Sequence, residues 1–371
     1  MNLNIAVLPG DGIGPEITSQ AVKILNAIAQ KFQHNFTFTN ALVGASAIEK
    51  TGKPLPDETL QICKNADAIL FGTVGNPKYD HLEIKNRPEQ GLLKLRQSLG
   101  LFADIRPITT YKPLIHKSPI KEKVIQNTDF IIYRELSSGI YYGEKGSNED
   151  ENSAFDTCFY NAEQIDKITH LAFKAAKSRR KKLTLVDKSN VLETSRLWRK
   201  RVKKIAESYP DVKLYFLHID NATMQLIINP RKFDIILTDN LFGDILSDEA
   251  SVISGSIGLS ASASIGDNAV LFEPVHSSYP KYTGKNIANP LATILSAAML
   301  LEHFNLHEEA DAIRNAVDKS IEYNITTPDL NATKKYAHTS DVGEFISDYI
   351  IDKKSIHHHV ENISLGQSTI I

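Results

Sequence analysis

Ile5-Ala6-Val7-Leu8-Pro9-Gly10-Asp11-Gly12-Ile13-Gly14-Pro15-Glu16 runs from a β-branched strand into the start of a helix. A nucleotide-binding turn of the Rossmann type would sit here, and its Gly-x-Gly-x-x-Gly spacing demands a third glycine at position 15. Pro15 stands there instead. Proline suits the first position of a helix, where its missing N–H costs nothing, and Glu16 favours the positive helix end. The stretch therefore predicts a strand-to-helix turn and argues against an ordinary Rossmann fold.

Outward from that turn, short runs of β-branched and aromatic residues alternate with longer segments of helical period. The runs predict strands at 5–8, 68–72, 130–133, 183–186, 214–219 and 235–238. The periodic segments predict helices at 14–32, 90–99, 161–177, 191–208, 222–229 and 242–254, then at 291–304, 306–321 and 342–350. Such alternation specifies an α/β fold with substantial parallel sheet. A chain of 371 residues suits two domains or one large α/β unit.

Hydrophobic residues make up 42% and charged residues 23%, with a formal net charge of -2, so no basic excess points to nucleic acid. No apolar run approaches the roughly 18 residues of a membrane span, and a cytoplasmic protein is expected. Cys63 and Cys158 are far apart and form no Cys-x-x-Cys pair, so each reads as a small buried hydrophobe. The basic cluster Lys177, Arg179, Arg180, Lys181 and Lys182 reads as a solvated helix C-terminus. His357, His358 and His359 lie in an aperiodic tail, for which solvation is favoured over metal binding.

Asp244 and Asp248 are four residues apart and share one helix face, where like charges repel unless a cation lies between them. Oxygen-only ligands favour Mg²⁺ or Mn²⁺. Asp220 is expected at the end of the strand 214–219, and Lys188 just after the strand 183–186, where α/β sites gather. In the stretch 91–107, Arg96 and Arg106 flank a helix end beside Leu92 and Leu93. Arginine's fork suits a carboxylate, and the leucines suit an apolar group.

The turn at 10–16, the stretch 91–107, Arg134-Glu-Leu-Ser-Ser-Gly-Ile-Tyr-Tyr-Gly143, Asp187-Lys-Ser-Asn-Val191, Asp220-Asn-Ala222, Asn240-Leu-Phe-Gly-Asp-Ile-Leu-Ser-Asp248 and the segment 273–290 follow one another in order. Together, over residues 4 to about 350, they resemble the isocitrate/isopropylmalate dehydrogenase family of β-hydroxyacid oxidative decarboxylases. The resemblance implies a bilobal α/β fold distinct from Rossmann. Residues 1–101 with 255–352 would form a nucleotide-binding lobe, 102–254 a central lobe carrying most of a homodimer interface, and 353–371 a flexible tail. The site would lie in the cleft between lobes, with Lys188 and Asp220 completing the partner subunit's site.

The resemblance also implies roles. Arg96, Arg106 and Arg134 would clamp a dicarboxylate. Asp220, Asp244 and Asp248 would hold Mg²⁺ or Mn²⁺ against the substrate, Lys188 would take the hydroxyl proton, and Tyr141 would protonate the enol carbon. Gly75, Asn76, Glu89, Glu273, His276, Ser277, Ser278, Tyr279, Pro280, Lys281, Tyr282, Gly284, Ile287, Ala288 and Asn289 would bind the dinucleotide.

Relatives acting on isocitrate, homoisocitrate or tartrate share the charged groups, so substrate choice rests on C3. Leu92 and Leu93, with Val191 from the partner, favour an isopropyl group over a third carboxylate; burying an alkyl group gains about 0.8 kcal/mol per CH₂. A non-catalytic subunit is disfavoured because Tyr141, Lys188 and all three aspartates are present. NAD is expected as oxidant. NADP is the alternative, because Lys281-Tyr282 stands where NAD-dependent relatives carry aspartate and resembles a phosphate-holding pair. Against NADP, Thr326 and Thr327 occupy the region where a further Tyr and Arg would complete a phosphate cage.

Overall fold

A computed structural model describes residues 1–150, 152–331 and 336–352. The expected tail from residue 353, with its three histidines, lies outside the described residues. The strands are β1 (Asn2–Gly10), β2 (Asn35–Asn40), β3 (Ala68–Thr73), β4 (Leu101–Thr109), β5 (Asp129–Glu135), β6 (Lys145–Ser147), β7 (Ala154–Asp156), β8 (Lys182–Asp187), β9 (Lys213–His218), β10 (Ile235–Thr238), β11 (Ala261–Gly266) and β12 (Val270–Pro274). The α-helices are α1 (Gly14–Phe32), α2 (Ala45–Thr51), α3 (Asp57–Asn65), α4 (Pro88–Ser98), α5 (Glu122–Ile125), α6 (Ala162–Ser178), α7 (Glu193–Ala206), α8 (Ile219–Ile228), α9 (Asn240–Ser254), α10 (Leu291–His303), α11 (His307–Glu322) and α12 (Thr339–Ile351). The chain divides into two compact units. Among the described residues, the first comprises 1–99, 256–263 and 269–352; the second comprises 100–255 and 264–268.

In the first unit the strand order is β2-β1-β3-β12-β11, with β1 parallel to β2 and β3, and β3 parallel to β12. Helix α10 is buried all round from Leu291 to Leu301, as expected of a helix apolar on every side, and α1 and α11 pack on it. Between β1 and α1 the glycines serve close backbone approach. A Cβ on Gly12, whose φ is +60°, would lie 2.0 Å from the Ser278 carbonyl oxygen, and one on Gly10, whose φ is +71°, 2.0 Å from that of Thr73. Asp11, between them, accepts from the N–H groups of Ala45, Ser46 and Gly75. Glu16, expected to complement the helix end, also accepts from the backbone N–H groups of Gly284 and Asn286.

In the second unit the order is β4-β5-β10-β8-β9; β4 and β5 are antiparallel, and the remaining neighbours are parallel. Alternate residues of these strands point to opposite faces. Tyr133, Leu183, Leu185, Ile235 and Leu237 pack with Ile168, Phe173, Trp198 and Val202 of α6 and α7. Ile108, Phe130, Ile132, Val186 and Ile236 pack with Ala222, Leu226, Leu246 and Ala250 of α8 and α9. That second face also carries Asp104, Arg106 and Arg134, which share its parity.

Two expectations need correction. Arg179 and Arg180 are not simply solvated: both hold the buried Asp234 carboxylate, at 3.0 and 3.4 Å, and both donate to the Asp129 carbonyl at the start of β5. They neutralise a charge that the strand ends bury. Asp220 does not end a strand, because Ile219 already opens α8 and places Asp220 in its first turn.

Gly12→Ala should lower stability by about 2–4 kcal/mol, combining an unfavourable left-handed conformation with a backbone collision. Denaturant midpoints of the two proteins measure this, and coincident midpoints would refute the close-approach role.

Candidate functional site

In the second unit, Asp104 on β4 stands directly opposite Arg134 on β5 in the ladder. Arg134 donates through Nε to the Asn240 carbonyl at 3.0 Å, through Nη2 to Asn240 Oδ1 at 2.8 Å, and through Nη1 to Asp244 Oδ1 at 2.6 Å. Gly243 lets α9 ride directly on this side chain, since a Cβ there would lie 2.5 Å from Arg134 Cγ. Arg106 donates through Nε to Asp104 at 2.8 Å and through Nη1 to Ser247 Oγ, with Asp244 and Asp248 at 3.6 and 3.7 Å. Asp244 and Asp248 share the expected helix face.

Tyr141, at the end of a 3₁₀ turn over 139–141, donates its hydroxyl to Asp244 Oδ2 at 2.7 Å, and the Arg134 guanidinium lies 5.6 Å from its ring centre. Burial first, then the Asp244 carboxylate, push the Tyr141 hydroxyl up to about 12, so it stays a proton donor at neutral pH. Burial, reinforced by Asp244, raises the Asp248 carboxyl against the pull of Arg106. Two hard carboxylates that disfavour each other's charge are a fit donor pair for Mg²⁺ or Mn²⁺. Among the described residues, no three His, Cys, Asp or Glu side chains of one chain converge on a metal position.

Lys188 and Asp220, in contrast, pair with each other at 2.9 Å, and the hydrogen bond from the lysine holds the Asp220 carboxyl below its usual range. Asp187, buried and gripped by Arg199 at 2.6 Å, anchors the turn that presents Lys188, and Val191 lies exposed in the same turn. Exposed apolar side chains continue along neighbouring helices: Met224, Ile227 and Ile228 on α8, and Ile245 and Val252 on α9.

In the first unit, Glu89, Leu92, Leu93 and Arg96 recur at the spacing of one α4 face. Arg96 donates through Nη2 to Glu273 at 2.6 Å. Leu92 and Leu93 are only half-buried, whereas Leu95 and Gly91 on the other side of α4 are buried. This distribution counts against the two leucines being core packing.

A cavity of about 500 Å³ opens in the same unit, lined by His276, Tyr279, Tyr282, Ile287, Ala288 and Asn289 from the expected nucleotide segment. Ile13, the run 256–258, Pro328 and Asp329 complete its wall; the sequence reading missed all of them as contacts, although Ile13 lay inside the quoted turn. Asp329 accepts from Ser256 Oγ and Asn289 Nδ2, at 2.8 and 2.9 Å, and from Thr327 at 2.6 Å. Burial holds His276 below the usual histidine range. Gly75 is tied in at both ends, its N–H to Asp11 and its carbonyl to the Ser278 hydroxyl at 2.6 Å. Asn76 caps the following 3₁₀ turn through Lys78 N–H, and Pro280 begins the turn over 280–282 in which Lys281 is exposed. Ser277 and Gly284 are also exposed. Thr326 and Thr327 are buried.

The chain belongs to the isocitrate/isopropylmalate dehydrogenase family, whose profile matches residues 4–346. A 3-isopropylmalate dehydrogenase of Bacteroides fragilis is 50% identical over 94% of this chain and 99% of its own length. One from Aquifex aeolicus is 52% identical over 88% of this chain and 91% of its own length. The crystal structure of an isocitrate dehydrogenase from Methylococcus capsulatus superposes with a TM-score of 0.85 at 34% identity, covering 94% of this chain and 100% of that one.

Asp239, the N-cap of α9, is half-buried beside the cluster. Burial raises its carboxyl from 3.8 to about 7 against the lowering effect of the Phe242 N–H, and the Glu135 and Asp187 charges add to the rise. A raised folded pKa means that Asp239 supports the fold below about pH 4 and that this support is lost as pH rises through 7. Asp239→Asn keeps the cap and removes the charge. Its unfolding midpoint should match the wild type at pH 4 and exceed it at pH 8, by a few kcal/mol in free energy; equal midpoints at pH 8 would refute the assignment.

Proposed function

We propose that this protein oxidises and decarboxylates 3-isopropylmalate to 4-methyl-2-oxopentanoate and CO₂, reducing NAD, in leucine biosynthesis. The observation that carries the reading is the cluster in which Arg106, Arg134, Asp244 and Tyr141 meet. It joins carboxylate forks, cation ligands and a protonated acid in one place. The names of the relatives at about half identity support the same activity.

Arg106 and Arg134 bind substrate carboxylate through their Nη groups, and Arg96 is a further carboxylate fork on α4. Asp244 and Asp248, with Asp220 of a second copy, would hold Mg²⁺ or Mn²⁺, which would supply Lewis-acid polarisation of the C2 oxygen and charge stabilisation as CO₂ departs. Lys188 of the second copy takes the C2 hydroxyl proton as hydride leaves C2 for the nicotinamide. The carboxylate on C3 then departs as CO₂, and Tyr141 delivers its proton to C3.

The substrate follows from α4. Leu92 and Leu93 offer half-buried apolar surface within a turn of Arg96, and Glu89 on the same face repels a third carboxylate. An isopropyl group satisfies both conditions, whereas isocitrate violates both. The cavity beside His276, Tyr279 and Tyr282 takes the adenine, and the Asp329 carboxylate is a fitting acceptor for its amino group. Buried Thr326 and Thr327 supply no cation for a 2′-phosphate, which favours NAD despite Lys281. The exposed apolar side chains of α8 and α9 are the surface on which the second copy packs.

With Mg²⁺ present, 3-isopropylmalate should reduce NAD much faster than isocitrate or malate does, and NAD should outpace NADP at equal concentration. Faster turnover of isocitrate would overturn the substrate, and an NADP preference the nucleotide.

Lys188→Ala and Tyr141→Phe should each abolish most turnover. Co-refolding the two inactive chains should restore about a quarter of wild-type activity, because half the dimers carry one intact site when sites are shared between copies. No recovery on mixing would place Lys188 in its own chain's site.

A further inference from the structure

We infer that Asp104 is a positioning residue that aims Arg106 at the dicarboxylate; the inference rests on the reading of the site given above. Asp104 and Arg106 lie two apart on β4 and share a face, and ladder register brings Arg134 opposite Asp104 on that same face. The Asp104 side chain is 1% exposed. Its Oδ2 accepts Arg106 Nε at 2.8 Å and lies 3.7 Å from Arg134 Nη1. One buried carboxylate thus sits between the two cations of the clamp.

An arginine side chain has four rotatable bonds, and its fork recognises a carboxylate only when the guanidinium plane is held. Anchoring Nε on Asp104, with Ser247 Oγ accepting from Nη1, fixes this plane and leaves Nη2 to meet a ligand. Nη1 of Arg106 faces Asp244 and Asp248, at 3.6 and 3.7 Å, so the held edge looks toward the acid pair. Asp104 is closed off from solvent: among the described residues its Oδ1 is buried and accepts no hydrogen bond, and its Oδ2 is directed at the arginines. Its effect on turnover is exerted through Arg106.

The test is steady-state kinetics, with magnesium and each substrate varied in turn, on wild type, Asp104→Ala, Asp104→Asn, Arg106→Lys and the Asp104→Ala/Arg106→Lys double variant. Asp104→Ala should raise the KM for 3-isopropylmalate about tenfold or more while leaving the KM for NAD within about twofold. Asp104→Asn retains a carbonyl oxygen for Nε and should stay within about threefold of wild type. In the Arg106→Lys background, which has no Nε to hold, Asp104→Ala should add less than about twofold. Should Asp104→Ala fail to fold, the asparagine variant decides: a tenfold KM rise there would overturn the hydrogen-bonding role. Equal changes in both KM values, or an undiminished effect in the lysine background, would also overturn it. A wild type inactive on 3-isopropylmalate would instead refute the proposed function, and the two failures are distinct.

Discussion

Two guanidinium groups, Arg106 and Arg134, are buried on one face of the second unit, and much of the local structure follows from saturating and neutralising them. Two like unit charges about 4 Å apart repel by roughly 4 kcal/mol at an effective dielectric near 20. Burial is tolerable only if counter-charges and acceptors are built in. Asp104 comes from the adjoining strand position, and Asn240 gives its carbonyl and its amide oxygen from the first turn of α9. Gly243 brings that helix close enough to do so. The position of α9, and with it Asp244, Asp248 and the bond to Tyr141, is a consequence of accommodating the arginines.

The same accounting explains why the cluster is poised for ligands. Asp244 is bonded to both Arg134 and Tyr141, so it occupies the Arg134 donor that a substrate carboxylate would take, with oxygens that a cation would take. In the proposed reaction, a carboxylate at the arginines and a cation at the aspartates each release a partner that the other needs. Their binding is linked through this one side chain. The turn at Gly10–Glu16 plays a different part in the first unit. Its glycines permit contact with the backbones of Thr73 and Ser278, and Asp11 and Glu16 fasten two further loops, so Ile13 reaches the wall of the cavity.

Long amphipathic segments were legible from sequence because a single core imposes a single period. Helix α1 has the bounds the periodicity predicts, and α6 differs by one residue at each end. What escaped detection had its own physical cause. Strand β4 contains Asp104, Arg106 and Pro107, which interrupt the apolar run that marks a strand; the two charged side chains are buried because they pair with each other and with Arg134 and Ser247. Strand β11 begins Ala-Ser-Ala-Ser, small residues that fill a crowded interior without an apolar signal. The short α2 and α3 offer too few turns for a period to emerge. At the site, Asp244 and Asp248 were legible from helix spacing, whereas Asp104, Asp239 and Asp329 were not: each owes its setting to residues distant in sequence or to burial that no local pattern reveals.

Fold and charge together define a class of chemistry without choosing a substrate. The backbone is shared with an isocitrate dehydrogenase, and in the proposed reading Arg106 and Arg134 would hold any malate derivative equally well. Discrimination has to come from a surface that carries no part of the common reaction, and in the proposed reading the α4 face of Glu89, Leu92 and Leu93 is that surface. A carboxylate brought there sheds water against the leucines and meets a like charge, and both penalties act before any bond is made or broken. An alkyl group incurs neither and gains from leaving water. Selectivity of this kind is expressed as binding rather than as rate, because the apolar contact with C3's substituent is the same before and after CO₂ departs.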